Sequence, residues 1–126
     1  MALGRAASDH HDLTSLLEAM SGKIQHRGPD SSGVWQDHNV PLALGHRRLS
    51  IVDLSELGHQ PMASADGRYM IAYNGEIYNF LSLRRTLEDA GHRFKGHSDT
   101  EVLLAAISHW GINTALQKIN GMFAIA

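Results

Sequence analysis

YMIAYNGEIYNF, residues 69–80, sets apolar residues on both sides of an Asn74-Gly75 pair and admits two readings. In one, the pair is the two-residue turn of a β-hairpin, because both central residues of a type I′ turn take positive φ, which Asn and Gly adopt at least cost. In the other, an amide side chain and a peptide N–H unobstructed by a Cβ are held towards a ligand. The pair alone does not choose between them. Either way the stretch carries strand residues straight into a helix, which the spacing predicts from a cap at Asn79 to Gly91.

Working upstream, RYMIAYN, LALGHRRLSIVDL and GVWQ read as strands separated by polar turns at 64–67 and 37–39. Ahead of them Leu13, Leu16, Leu17, Met20 and Ile24 fall on one face of an amphipathic helix over 12–24, capped at Asp12 or by the box Ser15 to Glu18. Downstream, Ser98-Asp-Thr-Glu101 is a capping box for a helix that runs to Gly111. A short helical piece at 112–118 and the strand-like run GMFAIA follow. Residues 1–11 read as a disordered leader and 12–126 as one domain. Helices interleaved with strands, several of them apolar on both faces, predict an α+β fold around an internal sheet, which is expected to continue past residue 126.

Composition narrows the function classes. The 126 residues are 43% hydrophobic and 19% charged with a net charge of −2, ordinary for a globular domain. No basic run points to nucleic acid or to an anionic membrane surface. The start, MALGRAASDHHDL, lacks the apolar core of a secretory signal, so a cytoplasmic location is expected. The sequence contains no cysteine, which rules out disulfides, thiolate zinc sites and a thiol nucleophile within these residues. Nine histidines are scattered without metal-ligand spacing, so no metal is expected.

Three blocks carry a resemblance: HRGPDSSGVW (26–35), LGHRRLSIVDLSELGHQPM (44–62) and YNGEIYNF with GHSDTEVLLAA (73–106). Together they resemble the glutamine amidotransferase domain of glutamine-hydrolysing asparagine synthetases, a branch of the N-terminal-nucleophile hydrolases. The likeness runs from about Leu13 to Ala126. It implies a four-layer αββα sandwich, here incomplete, with the first strand and the C-terminal strands missing. In that family the chain begins Cys-Gly-Ile; the thiol attacks the glutamine amide, ammonia leaves, and water hydrolyses the thioester.

Carried onto this sequence, the resemblance implies that the Asn74 side-chain amide and the Gly75 N–H form an oxyanion hole, so that the expected turn is also a site. It implies Arg48 on the α-carboxylate of L-glutamine, where a guanidinium fork binds bidentately. Asp99, with Glu76 nearby, would take the ammonium group, and the backbone at Ile51 and Val52 would line the cleft. Each residue also has a plainer reading: Arg48 as an exposed strand residue, and Asp99 as a carboxylate that favours a helix N-terminus. Arg27 and Asp30 in HRGPD read first as turn chemistry. His46, His59 and His97 read as hydrogen-bonded fold residues.

The sequence departs from the family at its start, Met-Ala-Leu-Gly, which offers no nucleophile. Two expectations follow. The chain is a glutaminase domain truncated at both ends, inactive as given, which in longer form supplies ammonia to a synthetase domain using ATP and Mg²⁺, with room for a homodimer. Alternatively it is a nucleophile-less scaffold or ligand-binding module, similar to the N-terminal region of β-lactam synthetases. No cofactor is expected within these residues.

Overall fold

The computed structural model describes residues 10–49 and 58–126. In order these form α1 (His10–Lys23), a 3₁₀ turn (Gln25–Arg27), β1 (Ser31–Gln36), β2 (Ala43–Arg48), β3 (Met62–Ala63), β4 (Met70–Ile71), β5 (Tyr73–Ile77), α2 (Phe80–Asp89), α3 (Asp99–Trp110), α4 (Ile112–Lys118) and β6 (Gly121–Ile125). Among the described residues the strands pair as β1–β2, β3–β4 and β5–β6, all antiparallel. The architecture is α+β.

α1 begins at His10, so Asp12 and Ser15, the capping positions read from the sequence, both fall inside it. It lies on the β1–β2 hairpin, where Thr14 Oγ1 donates to Gln36 Oε1 at 2.7 Å. Gly45 lets the helix approach β2: a Cβ there would stand 3.1 Å from Ser21 Oγ and 3.3 Å from Leu17 Cδ2. The expected apolar face divides as a result. Leu13 and Leu17 are half-buried, whereas Leu16, Met20 and Ile24, one straight i, i+4, i+8 row, remain about half exposed. The loop from β1 to β2 is longer than expected, and Asp37 Oδ1 organises it by accepting from the N–H groups of Asn39 at 2.6 Å and Val40 at 3.2 Å.

The core lies on the other side of the molecule, between α2, α3 and the β4–β5 strands. Ile77, Leu87, Val102 and Leu103 are fully enclosed. Leu83 and Leu87 meet it from α2 by their i, i+4 spacing, and Val102, Leu103, Ala106 and Ile107 meet it from α3. Ser98 caps α3 by accepting from the Glu101 N–H at 3.3 Å. The reciprocal half of the expected capping box does not form. Glu101 turns outward instead and accepts from the N–H groups of Lys95 at 2.7 Å and Gly96 at 2.9 Å, so its carboxylate orders the loop that enters the helix.

Asn79 also differs from expectation. It stands at the N-cap of α2 without capping it. Its side chain reaches across to the α4–β6 connection, donating to the Lys118 carbonyl at 2.9 Å and accepting from the Asn120 N–H at 2.8 Å.

The hairpin reading of Asn74-Gly75 is wrong. Both residues lie inside β5, which pairs not with a following neighbour but with β6, Asn74 opposite Ala124 and Gly75 opposite Phe123. Gly75 does adopt positive φ, at 153°, but within an extended strand, and Asn74 does not share it.

Candidate functional site

The direction of the backbone groups in β5 organises the site. Ala72 and Ala126 exchange both N–H···O bonds at 2.9 Å, and the Tyr78 N–H donates to the Asn120 carbonyl at 2.7 Å. In an antiparallel ladder such pairs alternate with pairs whose backbone groups point away. Even-numbered residues of β5 therefore spend their N–H and C=O on β6, and Tyr73, Gly75 and Ile77 turn theirs to the opposite edge.

Two of those three are occupied by side chains. The Tyr73 N–H donates to Gln60 Oε1 at 2.5 Å, and its carbonyl accepts from His46 Nε2 at 3.0 Å. The Ile77 N–H donates to Asp99 Oδ2 at 2.9 Å. Among the described residues no acceptor meets the Gly75 N–H between them. Glycine is required at this position, since a Cβ would lie 2.3 Å from the Met122 carbonyl oxygen and 2.5 Å from Phe123 Cα. The side chain of the preceding residue, Asn74, is exposed and likewise makes no hydrogen bond among the described residues. Neighbouring positions thus present an amide side chain and a peptide N–H, neither with a hydrogen-bond partner among the described residues.

Asp99 opens α3, where the partial positive charge of the helix N-terminus favours a carboxylate. Its Oδ2 accepts from the Tyr73 hydroxyl at 2.9 Å as well as from the Ile77 N–H. Both bonds use one oxygen. Burial, reinforced by the bond to Asp99, pushes the Tyr73 phenol well above its ordinary range, so it stays protonated and donates. Glu76 lies two residues after Asn74 on the same exposed side of β5, and its charge also reaches Tyr73.

Arg48 ends β2, half-buried, with its guanidinium against the backbone of Gly58: a Cβ there would come within 2.4 Å of Nη2. His46, two residues earlier on the same side of β2, is the residue that spans to β5. Because a carbonyl only accepts, His46 Nε2 carries the proton in that bond. Burial holds the imidazole below its usual range, with the positive charge of Arg48 acting in the same direction. Ile51 and Val52 lie outside the described residues.

The structure therefore brings Asn74, Gly75, Glu76 and Asp99 to one strand edge and the helix start beside it, with Arg48 on the strand that His46 ties to them. Sequence reasoning missed two residues of this assembly. Gln60 is buried and bonds both the Tyr73 N–H and, at 3.4 Å, Thr100 Oγ1. Tyr73 was read only as part of a strand. A polar residue directly before Pro61, in a stretch otherwise turn-like, was the available signal for Gln60. Among the described residues no three His, Asp or Glu side chains converge as metal ligands do.

Residues 2–126 match the family of glutamine amidotransferase domains. Among curated proteins, the chain is 48% identical over 113 residues to asparagine synthetase [glutamine-hydrolyzing] 1 of Bacillus subtilis, covering 90% of this chain and 17% of that protein. It is 42% identical over 119 residues to asparagine synthetase B [glutamine-hydrolyzing] of Escherichia coli, covering 94% and 21%. A putative asparagine synthetase [glutamine-hydrolyzing] of Mycobacterium tuberculosis is 40% identical over 133 residues, covering 98% and 20%. The chain spans about a fifth of the length of these relatives.

Proposed function

The chain belongs to the glutamine amidotransferase domain family, and on that premise we propose that it is the glutaminase domain of an asparagine synthetase-like amidotransferase, binding L-glutamine at the outward edge of β5. The observation that carries this is the Gly75 N–H beside the Asn74 amide, neither of which meets a partner among the described residues. Hydrolysis of an amide builds negative charge on its oxygen, and two fixed donors stabilise that charge where water is excluded. Arg48 binds the α-carboxylate through its fork. Asp99, through the oxygen that Tyr73 and Ile77 leave open, takes the ammonium group together with Glu76. Ile51 and Val52 contribute backbone to the cleft wall.

The three antiparallel pairs and their helices are, in this reading, parts of a four-layer αββα sandwich. In a longer protein the ammonia passes to a synthetase domain that activates a carboxylate, aspartate in the simplest case, with ATP and Mg²⁺ in the cytoplasm. The attacking thiol of the family has no counterpart among these residues, which contain no cysteine. The chain as given therefore binds glutamine without turning it over. A second reading is a nucleophile-free module that senses glutamine for a partner.

Titrating ¹⁵N-labelled chain with L-glutamine tests the binding common to both readings. The Gly75 amide and the Asn74 side-chain NH₂ are expected to shift together and saturably. A spectrum in which neither moves at millimolar glutamine refutes the assignment. The two readings separate when the family's Cys-Gly-Ile start is joined to the chain: only a glutaminase domain then releases glutamate.

A further inference from the structure

Tyr73 is held more firmly than a core tyrosine needs to be. The residue is only 3% exposed, and its ring lies 6.5 Å from that of Phe123. Its N–H is taken by Gln60, its carbonyl by His46 and its hydroxyl by Asp99. The residue is thus fixed at three points, and the side chains fixing it come from β2, from the segment before β3 and from the start of α3. Burying a phenol demands one acceptor of any kind. Here the acceptor is the carboxylate that the proposed glutamine site assigns to the ammonium group.

The two bonds to Asp99 converge on Oδ2, one from the hydroxyl of Tyr73 and one from the N–H of Ile77. Two donors on one oxygen fix the rotation of the carboxylate about its Cβ–Cγ bond and leave Oδ1 without a partner among the described residues. The donors stand four residues apart on β5 and bracket Gly75. The strand that offers the amide-binding N–H therefore also aims the carboxylate at the other end of the ligand.

We infer that Tyr73 is a positioning residue for the α-ammonium group of glutamine, its hydroxyl fixing the Asp99 carboxylate at a set place relative to the Asn74-Gly75 donors. The inference rests on the glutamine site proposed above. It assigns Tyr73 no contact with the ligand; the residue acts through Asp99. Losing the hydroxyl frees the carboxylate to rotate, which weakens recognition of a cationic α-substituent and leaves recognition of the amide end alone.

Tyr73→Phe tests it, because phenylalanine keeps the ring in the core and keeps both backbone bonds. Calorimetric titration of the chain and the variant would use L-glutamine and its α-hydroxy analogue, which has no ammonium group. Tyr73→Phe is expected to weaken glutamine binding about 10-fold, the scale of one hydrogen bond to a charged group, and to leave the weaker affinity for the α-hydroxy analogue within about 2-fold, since no charged partner is lost there. On an Asp99→Asn background the substitution should add little, because the two residues act as a unit. Equal losses for both ligands, or additive effects of the two substitutions, would make Tyr73 a general packing residue and overturn the inference. So would a variant that fails to fold, since the hydroxyl would then be structural. If the unmodified chain binds no glutamine, the site itself fails. If it binds and Tyr73→Phe binds equally well, the positioning role alone fails.

Discussion

Gly75 and Asn74 are adjacent and separate fold from function cleanly. At Gly75 the φ of 153° and the 2.3 Å approach to the Met122 carbonyl leave no room for a side chain. Gly75→Ala is therefore expected to destabilise the chain by about 2 kcal/mol or more in urea unfolding, backbone strain alone being worth about 1–3 kcal/mol. Asn74 is exposed and its side chain makes no hydrogen bond among the described residues, so Asn74→Ala should shift stability by less than about 0.5 kcal/mol. In an extended chain bearing the family's Cys-Gly-Ile start, the same substitution is expected to lower kcat by about 10²–10³ with little change in KM, as for a donor used chiefly in the transition state. An unfolded Asn74→Ala, or one with intact kcat, would remove it from the site. His46 adds a pH dependence. Burial places its native pKa below the ordinary 6.5, so the unfolded chain binds a proton more readily. Its contribution is complete above pH 6.5 and is lost as the pH falls through the lower native value. Stability should decline on acidification through that window, and His46→Gln, which can still donate to Tyr73 but does not titrate, should flatten the decline. Parallel profiles for the two proteins would contradict this.

Among the elements, helices were more legible than strands, and their ends more than their partners. Ser98 and Gly111 bound α3 as their chemistry implies, because caps act over a few residues. Glu101 and Asn79 did not follow local rules. Each found a better partner in a loop or connection, Glu101 with two backbone N–H groups and Asn79 with a segment whose sequence separation is 41. A propensity argument has no access to partners as distant as those of Asn79, nor to the fold of the loop that brings Lys95 and Gly96 to Glu101. If the carboxylate of Glu101 orders residues 95–96, Glu101→Ala should cost about 1–3 kcal/mol, the scale of hydrogen bonds to a charged group. Ser98→Ala should cost about 1 kcal/mol. Thermal melts of the two variants check the order, and a Ser98→Ala loss larger than that of Glu101→Ala reverses the ranking proposed here. The Asn74-Gly75 turn failed for a related reason: positive φ was correctly read at Gly75 but not at Asn74, and only the pairing with β6 decides whether positive φ sits in a turn or a strand.

For the whole molecule, the interleaving of strands and helices was enough to give α+β, since hydrophobic period and caps are properties of short windows. Which strand pairs with which was not legible, because antiparallel pairing between β5 and β6 depends on a contact closed across three helices and their connections. Candidate site residues from two separated blocks came together through Gln60, His46 and Tyr73, to none of which the sequence pattern had given a role in the site. The apolar surface is uneven. The Leu16, Met20 and Ile24 row of α1 is exposed, and Met122 of β6 is 73% exposed on an edge strand. Such edges recruit further strands, and the chain is expected to associate with rising concentration in sedimentation experiments. Met122→Lys with Met20→Lys should reduce that association. A wild-type chain that stays monomeric at about 100 μM, well inside the micromolar-to-millimolar range in which exposed edges aggregate, would show that these surfaces are benign.

The grip of Asn79 on the Lys118–Asn120 connection has a consequence for how the site can fail. β6 is a short run of small and apolar residues, Gly-Met-Phe-Ala-Ile, with little to distinguish one alignment on β5 from the next. A slip of one position would conserve most of the ladder and most of the buried area, yet exchange the phase of the strand. The odd and even residues of β6 would trade faces, and Phe123, whose ring lies 6.5 Å from that of Tyr73 and whose Cα stands against Gly75, would turn away from both. Such a molecule would look folded by every bulk measure and yet present a different wall beside Gly75. The two bonds from Asn79, just beyond the last rung, tell the phases apart: they act as a frame marker that keeps the reading of the strand in step.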